Sequence, residues 1–295
     1  MKKLSKKDIK QEVFDLYDAY AHNKLERRDF LEKLSVYAVG GITLSSLTSF
    51  LMPNYLDNIQ VKQDDPAVKT ETITYTSPQG GGKISAQLSR PVNPKGKLPG
   101  IVIVHENRGL NPYIADVGRR AAKAGFISIA PDALTPLGGY PGNDDEGRAL
   151  QRQRDRNEML EDFIAAFDYL RSSDECTGNI GVVGFCFGGW ISNMMAVKVP
   201  ELKAAVPFYG SQPPLELVSQ INAPLMLHYA ELDERINTGW EGYEKALKKN
   251  KKAYSAYFYP NANHGFHNDT TPRYDEEAAK LAWERTIDFF KKNLI

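Results

Sequence analysis

The chain has 295 residues, with Lys plus Arg equal to Asp plus Glu at 37 each. A zero formal net charge supplies no long-range positive field for nucleic acid and favours a small, neutral or modestly polar ligand. With 42% hydrophobic and 25% charged residues a sizeable core can form, and two cysteines, Cys176 and Cys186, are too few and too close for a disulfide framework, so at least one is free for chemistry.

Residues 8–23 carry apolar side chains at helical spacing (Ile9, Val13, Leu16, Tyr17, Tyr20), which predicts a helix. Residues 26–52 then read ERRDFLEKLSVYAVGGITLSSLTSFLM, an arginine pair followed by a weakly polar apolar run that stops at Pro53. The pattern resembles a twin-arginine export signal, although Asp29 and Glu32 flank the arginines and no clear A-x-A cleavage site follows. The competing reading is a pair of helices packed on the following domain or on a second subunit, with a bend at Gly40 and Gly41. The run is about long enough to span a bilayer, but its serines and threonines make it a poor permanent anchor. Both a cytoplasmic and, by export, a periplasmic location stay open, and membrane contact is expected only with export.

A polar linker at 61–66 divides the chain into an N-terminal extension, 1–60, and a catalytic domain, 61–295. Residues 71–76 and 84–90 alternate in period two around a glycine-rich turn, a hairpin pattern. Gly80-Gly81-Gly82-Lys83 lacks the spacing and following helix of a phosphate loop. Residues 101–105 suit a strand buried on both faces, 112–123 a helix with Pro112 in its first turn, and 126–130 another buried strand. One long helix is predicted at 146–171, then a strand at 179–185 and a helix at 188–199. Strands at 204–209, 224–229 and 254–259 and helices at 239–248 and 275–293 complete the series. Strands alternating with helices predict an α/β fold whose mostly parallel sheet is covered on both faces.

Gly184-Phe185-Cys186-Phe187-Gly188 lies between a predicted strand and a predicted helix, and it has the form of a nucleophile elbow with cysteine in the serine position. A thiol at a helix N-terminus meets free backbone amides and the positive end of the dipole, which favour the thiolate. The competing reading is a small buried hydrophobe, and Cys176, with no such frame, takes it. A thiolate needs a base, and the base an orienting carboxylate, in the chain order nucleophile, acid, histidine. Asp233 and His264 fit the order, and both follow the C-terminal ends of predicted parallel strands, where open α/β sheets place their sites.

Competitors exist for each position. Glu231 competes with Asp233, and His267 competes with His264 or touches substrate. The H-x-x-H pair lacks a third ligand, so no metal is expected. His228 reads as a core histidine, and His22 falls outside the domain. Backbone amides of Phe187 and, in the loop after the 101–105 strand, Asn107 are the expected oxyanion donors.

With IVIVHENRGL, APDAL, GFCFGG, ELDERI and NHGFHND in this order, the chain from about Thr70 onward resembles the dienelactone hydrolase family. The resemblance implies an α/β-hydrolase fold without a large separate cap, no metal or organic cofactor, and a Cys-Asp-His triad carried onto Cys186, Asp233 and His264. It also implies that Glu106 interacts with the resting cysteine and takes part in its activation. On chemistry alone Glu106 is a carboxylate directly after an apolar strand, costly unless solvated or paired. Arg108 beside it either pairs with it or meets an anionic substrate.

The pattern departs from the family in one respect. Family enzymes that take dienelactone hold its carboxylate with arginines, one in the loop after the APD segment and one shortly after the catalytic histidine. Here 137–142 and Asn268-Asp269 stand in those places, so the resemblance does not carry dienelactone itself over; Arg148 and Arg273 either substitute from new positions or, the favoured reading, are ordinary surface or helix-pairing arginines. Tyr140 and Phe266, with Arg108 and His267, are the expected substrate contacts. These readings predict a cysteine-dependent hydrolase that cleaves a small-molecule carboxylic ester or lactone through an acyl-enzyme, with no nucleic-acid partner and a homodimer left open. The alternative of another class is a non-catalytic ligand-binding or interaction protein on the same scaffold.

Overall fold

The computed structural model describes residues 4–55 and 58–295, so the first three residues of the predicted extension and positions 56 and 57 lie outside the described residues. Three short helices come first: α1 (Gln11–Ala21), α2 (Arg27–Ser35) and α3 (Leu44–Leu51). Val13, Phe14 and Tyr17 lie on one face of α1 and bury with Phe30 and Leu34 of α2 and Leu47 and Leu51 of α3, in a small core of their own. Tyr20 stacks on Phe30 with ring centroids 4.5 Å apart. The apolar run after the arginine pair is therefore not continuous. Gly40 and Gly41 take positive φ, and Thr43 then caps α3, its side chain accepting from the Ser46 N–H. Among the described residues no helix is long and apolar enough to cross a membrane.

The rest of the chain continues with β1 (Val68–Ser77), β2 (Gly82–Pro91), β3 (Leu98–Val104), α4 (Pro112–Lys123), β4 (Ile127–Pro131), α5 (Asp144–Gln151) and α6 (Arg156–Ser172). After these come β5 (Cys176–Phe185), α7 (Phe187–Lys198), β6 (Ala204–Phe208), β7 (Leu225–Ala230), α8 (Glu234–Asn237), α9 (Trp240–Lys249), β8 (Tyr254–Tyr259) and α10 (Glu276–Leu294). The strands form one sheet in the order β1-β2-β4-β3-β5-β6-β7-β8. The β1–β2 hairpin pairs antiparallel and β2 joins β4 antiparallel, while β4 through β8 pair parallel.

Both faces of the sheet are covered, as the apolar runs predict. Successive residues of β3 go to opposite faces: Val102 and Val104 join the core that includes Phe163 of α6 and Ile191 of α7, whereas Ile101 and Ile103 join the one that includes Val117 of α4 and Phe290 of α10.

The helix predicted at 146–171 is two helices. Asp155 breaks it: its side chain accepts from the N–H groups of Asn157 (2.8 Å) and Glu158 (3.0 Å) and so starts α6. The interruption frees α5 to take its own direction, with Asp144 and Arg148 buried.

Candidate active site

The carboxyl ends of β3, β5, β7 and β8 lead to Glu106, Cys186, Asp233 and His264 respectively. At the end of β5 the chain reverses into α7 through Cys186, which holds φ 58° and ψ −112°. A non-glycine residue there is strained, and the surroundings impose it. A Cβ on Gly184 would lie 2.0 Å from the Gly188 carbonyl oxygen, and one on Gly188 would lie 2.4 Å from the Val104 carbonyl oxygen. Only glycine fits at either position. The Cys186 N–H donates to the Phe208 carbonyl at 3.1 Å. Phe187 opens α7, so its N–H has no carbonyl one turn behind it.

His264 and Asp233 meet behind the sulfur. His264 Nδ1 lies 2.5 Å from Asp233 Oδ2, which fixes the ring. Its Nε2 is buried and has no hydrogen-bond partner by geometry among the described residues, and a nitrogen of the ring lies within 4.8 Å of the Cys186 sulfur. Burial opposes the charge on His264, but Asp233, then Asp18 and Cys186, outweigh it and hold the imidazole up to about 10. Glu231, the competing acid, instead accepts from the Asn261 N–H at 2.8 Å and ties the β7 and β8 loops together.

His22, read from sequence as lying outside the domain, is brought to the nucleophile. It caps the C-terminus of α1, and its Nε2 lies 3.2 Å from Cys186 Sγ. Its Nδ1 is 2.8 Å from the Asp18 carbonyl oxygen and 3.2 Å from Asp18 Oδ1. The His22 and His264 rings meet edge to face at 4.7 Å. Arg235 reaches the same place, with Nη2 at 3.1 Å from His22 Nε2 and 3.2 Å from His264 Nδ1.

Burial would push the Cys186 thiol up, but His22 and His264 prevail and hold it well below its usual range. His22 itself is raised: burial opposes the charge, and Cys186 and Asp18 overcome it. The one signal in the sequence was the i, i+4 spacing of Asp18 and His22 on a helix, which is too common to single out.

The remaining predicted residues divide. Glu106 is buried and accepts from Asn268 Nδ2 at 2.9 Å. Burial raises its carboxyl above the usual range against the lowering effect of Arg108, and Cys186 raises it further. Asn107 Nδ2 donates to the Ala21 carbonyl at 2.6 Å and so anchors α1. Arg108 is fully buried and paired with Asp144 at 2.6 Å, 4.0 Å from Glu106. Tyr140 is half-buried, and its hydroxyl donates to Asp144 at 3.3 Å.

Phe266 and His267, expected to meet substrate, lie in the core instead. Gly265, at φ 82°, turns the chain after His264. Phe266 then packs on Tyr259 and Phe208, and His267 Nδ1 lies 2.6 Å from the Tyr113 hydroxyl. Burial, with Arg120 and His228, holds His267 well below its usual range and therefore neutral. Arg148 pairs with Asp145 and lies over the Tyr20 ring, and Arg273 pairs with Asp18.

Beside these groups a cavity of about 360 Å³ opens between α1 and the loops after β7 and β8, lined among others by Gln11, Asp18, Lys24, Arg235, His264 and Arg273. Cys186 is only 8% exposed beneath the end of α1. The ligand atoms of His22, Cys186 and His264 lie within 4.8 Å of one another. The Arg235 guanidinium already brings positive charge to that point.

Comparison with known proteins matches the description "Dienelactone hydrolase family" to residues 84–294 and "YqhI-like" to residues 1–39. A protein of Escherichia coli (strain K12) named "Putative hydrolase fragment YghX" is 54% identical over 114 residues, 39% of this chain and 97% of that one. One of Saccharolobus solfataricus named "Putative carboxymethylenebutenolidase" is 32% identical over 250 residues, 72% of this chain and 95% of that one. Among solved structures, "Putative Dienelactone Hydrolase from Klebsiella pneumoniae" superposes with a TM-score of 0.67 at 26% identity, covering 76% of this chain and 99% of that one.

Proposed function

The chain belongs to the dienelactone hydrolase family, and from that premise we propose that it hydrolyses carboxylic esters or lactones of small molecules through an acyl-enzyme on Cys186. The observation that carries the reading is the Cys186 sulfur at a strained elbow, beside the Asp233–His264 pair and 3.2 Å from His22 Nε2. In the proposed cycle the sulfur attacks the carbonyl carbon. The charge that develops on oxygen is met by the Phe187 N–H and by a second backbone amide from the Asn107 loop. The tetrahedral adduct collapses to a thioester, and His264 Nε2 gives its proton to the leaving alkoxide. Water then loses a proton to His264, attacks the thioester and releases the acid. Asp233 keeps the imidazole in one tautomer throughout.

Glu106 stands near enough to feel the sulfur's charge, and its raised carboxyl suits a group kept protonated near the thiolate. Arg108, committed to Asp144, is left with little to offer an anionic substrate. Among the cavity-lining groups, Arg235 and Lys24 are the better candidates for that contact. The test is a panel of aryl esters and small lactones assayed with wild type, Cys186→Ala and His264→Ala. Loss of turnover in both variants supports the reading, and full activity in either overturns it.

A further inference from the structure

We propose that His22 is a catalytic residue: α1 delivers a second carboxylate-backed imidazole, Asp18–His22, to the sulfur already served by Asp233–His264, and the two imidazoles together hold Cys186 as the thiolate. The proposal rests on the reading of Cys186 as the nucleophile.

The two dyads are built alike. In each, Nδ1 faces an acceptor, Asp18 O and Oδ1 for His22 and Asp233 Oδ2 for His264. A carbonyl oxygen only accepts, so His22 Nδ1 carries a proton, and Nε2, with Cys186 Sγ at 3.2 Å and the Arg235 guanidinium at 3.1 Å, is the atom that exchanges one with sulfur. The exchange balances without a co-reactant: the S–H bond breaks, an N–H bond forms on Nε2, and a neutral pair becomes thiolate and imidazolium. The proton that leaves the sulfur is the one His264 passes to the leaving alkoxide as the thioester forms; a second proton, taken from solvent, keeps His22 charged against the thiolate of the resting enzyme.

The placement of His22 is held from several sides. Asn107, next to Glu106, holds the Ala21 carbonyl at 2.6 Å. Asn263, next to His264, receives Gln11 Nε2 at 2.5 Å. Arg152 Nη1 donates to Asn23 Oδ1 at 3.0 Å, and Asn23, at φ 59°, turns the chain away directly after His22. Asp18 is gripped by Arg273 at 3.1 Å and by Arg235 at 3.5 Å. A mere cover over the thiol would need volume at this point. It would need neither a carboxylate behind the ring nor two guanidinium groups to orient that carboxylate.

The charged and titratable groups around the sulfur come from every packed element: His22 and Asp18 from α1, Glu106 after β3, Tyr209 after β6, Asp233 and Arg235 after β7, and His264 and Arg273 after β8. Removal of His22 leaves Glu106 and Asp233 opposed by one imidazole fewer.

The experiment is alkylation of Cys186 in the full chain by iodoacetamide across pH, read by mass spectrometry of the Cys186 peptide, for wild type, His22→Gln and Asp18→Asn. The midpoint reports the thiol's ionisation and the plateau reports access to it. His22→Gln should raise the midpoint by about one pH unit or more, making alkylation roughly tenfold slower on the acid limb. Asp18→Asn should shift it less, in the same direction, and the acid limb of aryl-ester turnover should move with both. An unchanged midpoint overturns the proposal, whatever the plateau does. Should His22→Gln lose its native circular dichroism, Asp18→Asn decides. Hydrolysis retained by Cys186→Ala sinks the nucleophile reading, whereas an unchanged midpoint with Cys186→Ala inactive sinks only the role of His22.

Discussion

Arg273 and Asp18 are 255 positions apart in the chain and meet at 3.1 Å. The contact joins the segment after His264 to α1, and the same guanidinium lies 4.9 Å over the Tyr17 ring. It is the clearest of the ties that seat the N-terminal helices, whose apolar residues otherwise pack among themselves. Arg273→Met removes a buried charge and leaves Asp18 with Arg235 and His22. Asp18 is partly exposed, so the cost should fall below that of breaking a fully buried pair, at about 2 kcal/mol. We expect a Tm lower by roughly 5 °C and faster proteolysis in the turn between α1 and α2. Unchanged proteolysis there would show that other contacts hold α1.

The Asp233–His264 pair carries a pH signature. The folded imidazole is raised from 6.5 to about 10, so its stabilisation is fully present below the unfolded value and is lost as pH rises through about 10. Asp233→Asn should therefore lower Tm most near pH 6 and converge with wild type above about pH 10. Thermal melts across that range check it, and a gap independent of pH would contradict the assignment.

Gly188 tests the elbow without touching its chemistry. A methyl group there would stand 2.4 Å from the Val104 carbonyl and 2.8 Å from that of His105, both backbone atoms with no room to yield. Gly188→Ala should cost more than about 3 kcal/mol, in the range of severe overpacking, and show as loss of soluble, cooperatively melting protein. A variant as stable as wild type would mean the β3 and α7 backbones can separate.

Asp155 tests the break between α5 and α6. Loss of its cap bonds to Asn157 and Glu158 in Asp155→Ala should cost about 1 kcal/mol. Denaturant melts should show that loss with an unchanged slope.

What could be read from the sequence follows from what the physics writes there. The IVIV run of β3 is apolar at every position because both faces of the sheet are covered, and Gly184 and Gly188 flank the cysteine because no larger residue fits. Asp233 and His264 follow from chain order and strand ends. His22 escaped because the apolar stripe of α1 is satisfied by α2 and α3, so the segment reads as self-contained. Its contacts with the site run through single polar side chains, Asn107, Asn263, Arg235 and Arg273, which leave no periodicity. Phe266 and His267 looked like site residues by nearness to His264, but Gly265 reverses the chain and sends both into the aromatic core. The interruption at Asp155 was hidden because an aspartate inside a helical pattern reads equally as an exposed helix residue.

The most direct test of the central claim is intact-mass spectrometry of the protein quenched in acid during turnover of an aryl acetate, followed by mapping of the modified peptide. The account predicts one acetyl group on the peptide that contains Cys186, absent from Cys186→Ala and accumulating in His264→Ala if deacylation slows more than acylation. Steady turnover by Cys186→Ala, or an acetyl group mapped to another residue, would contradict it.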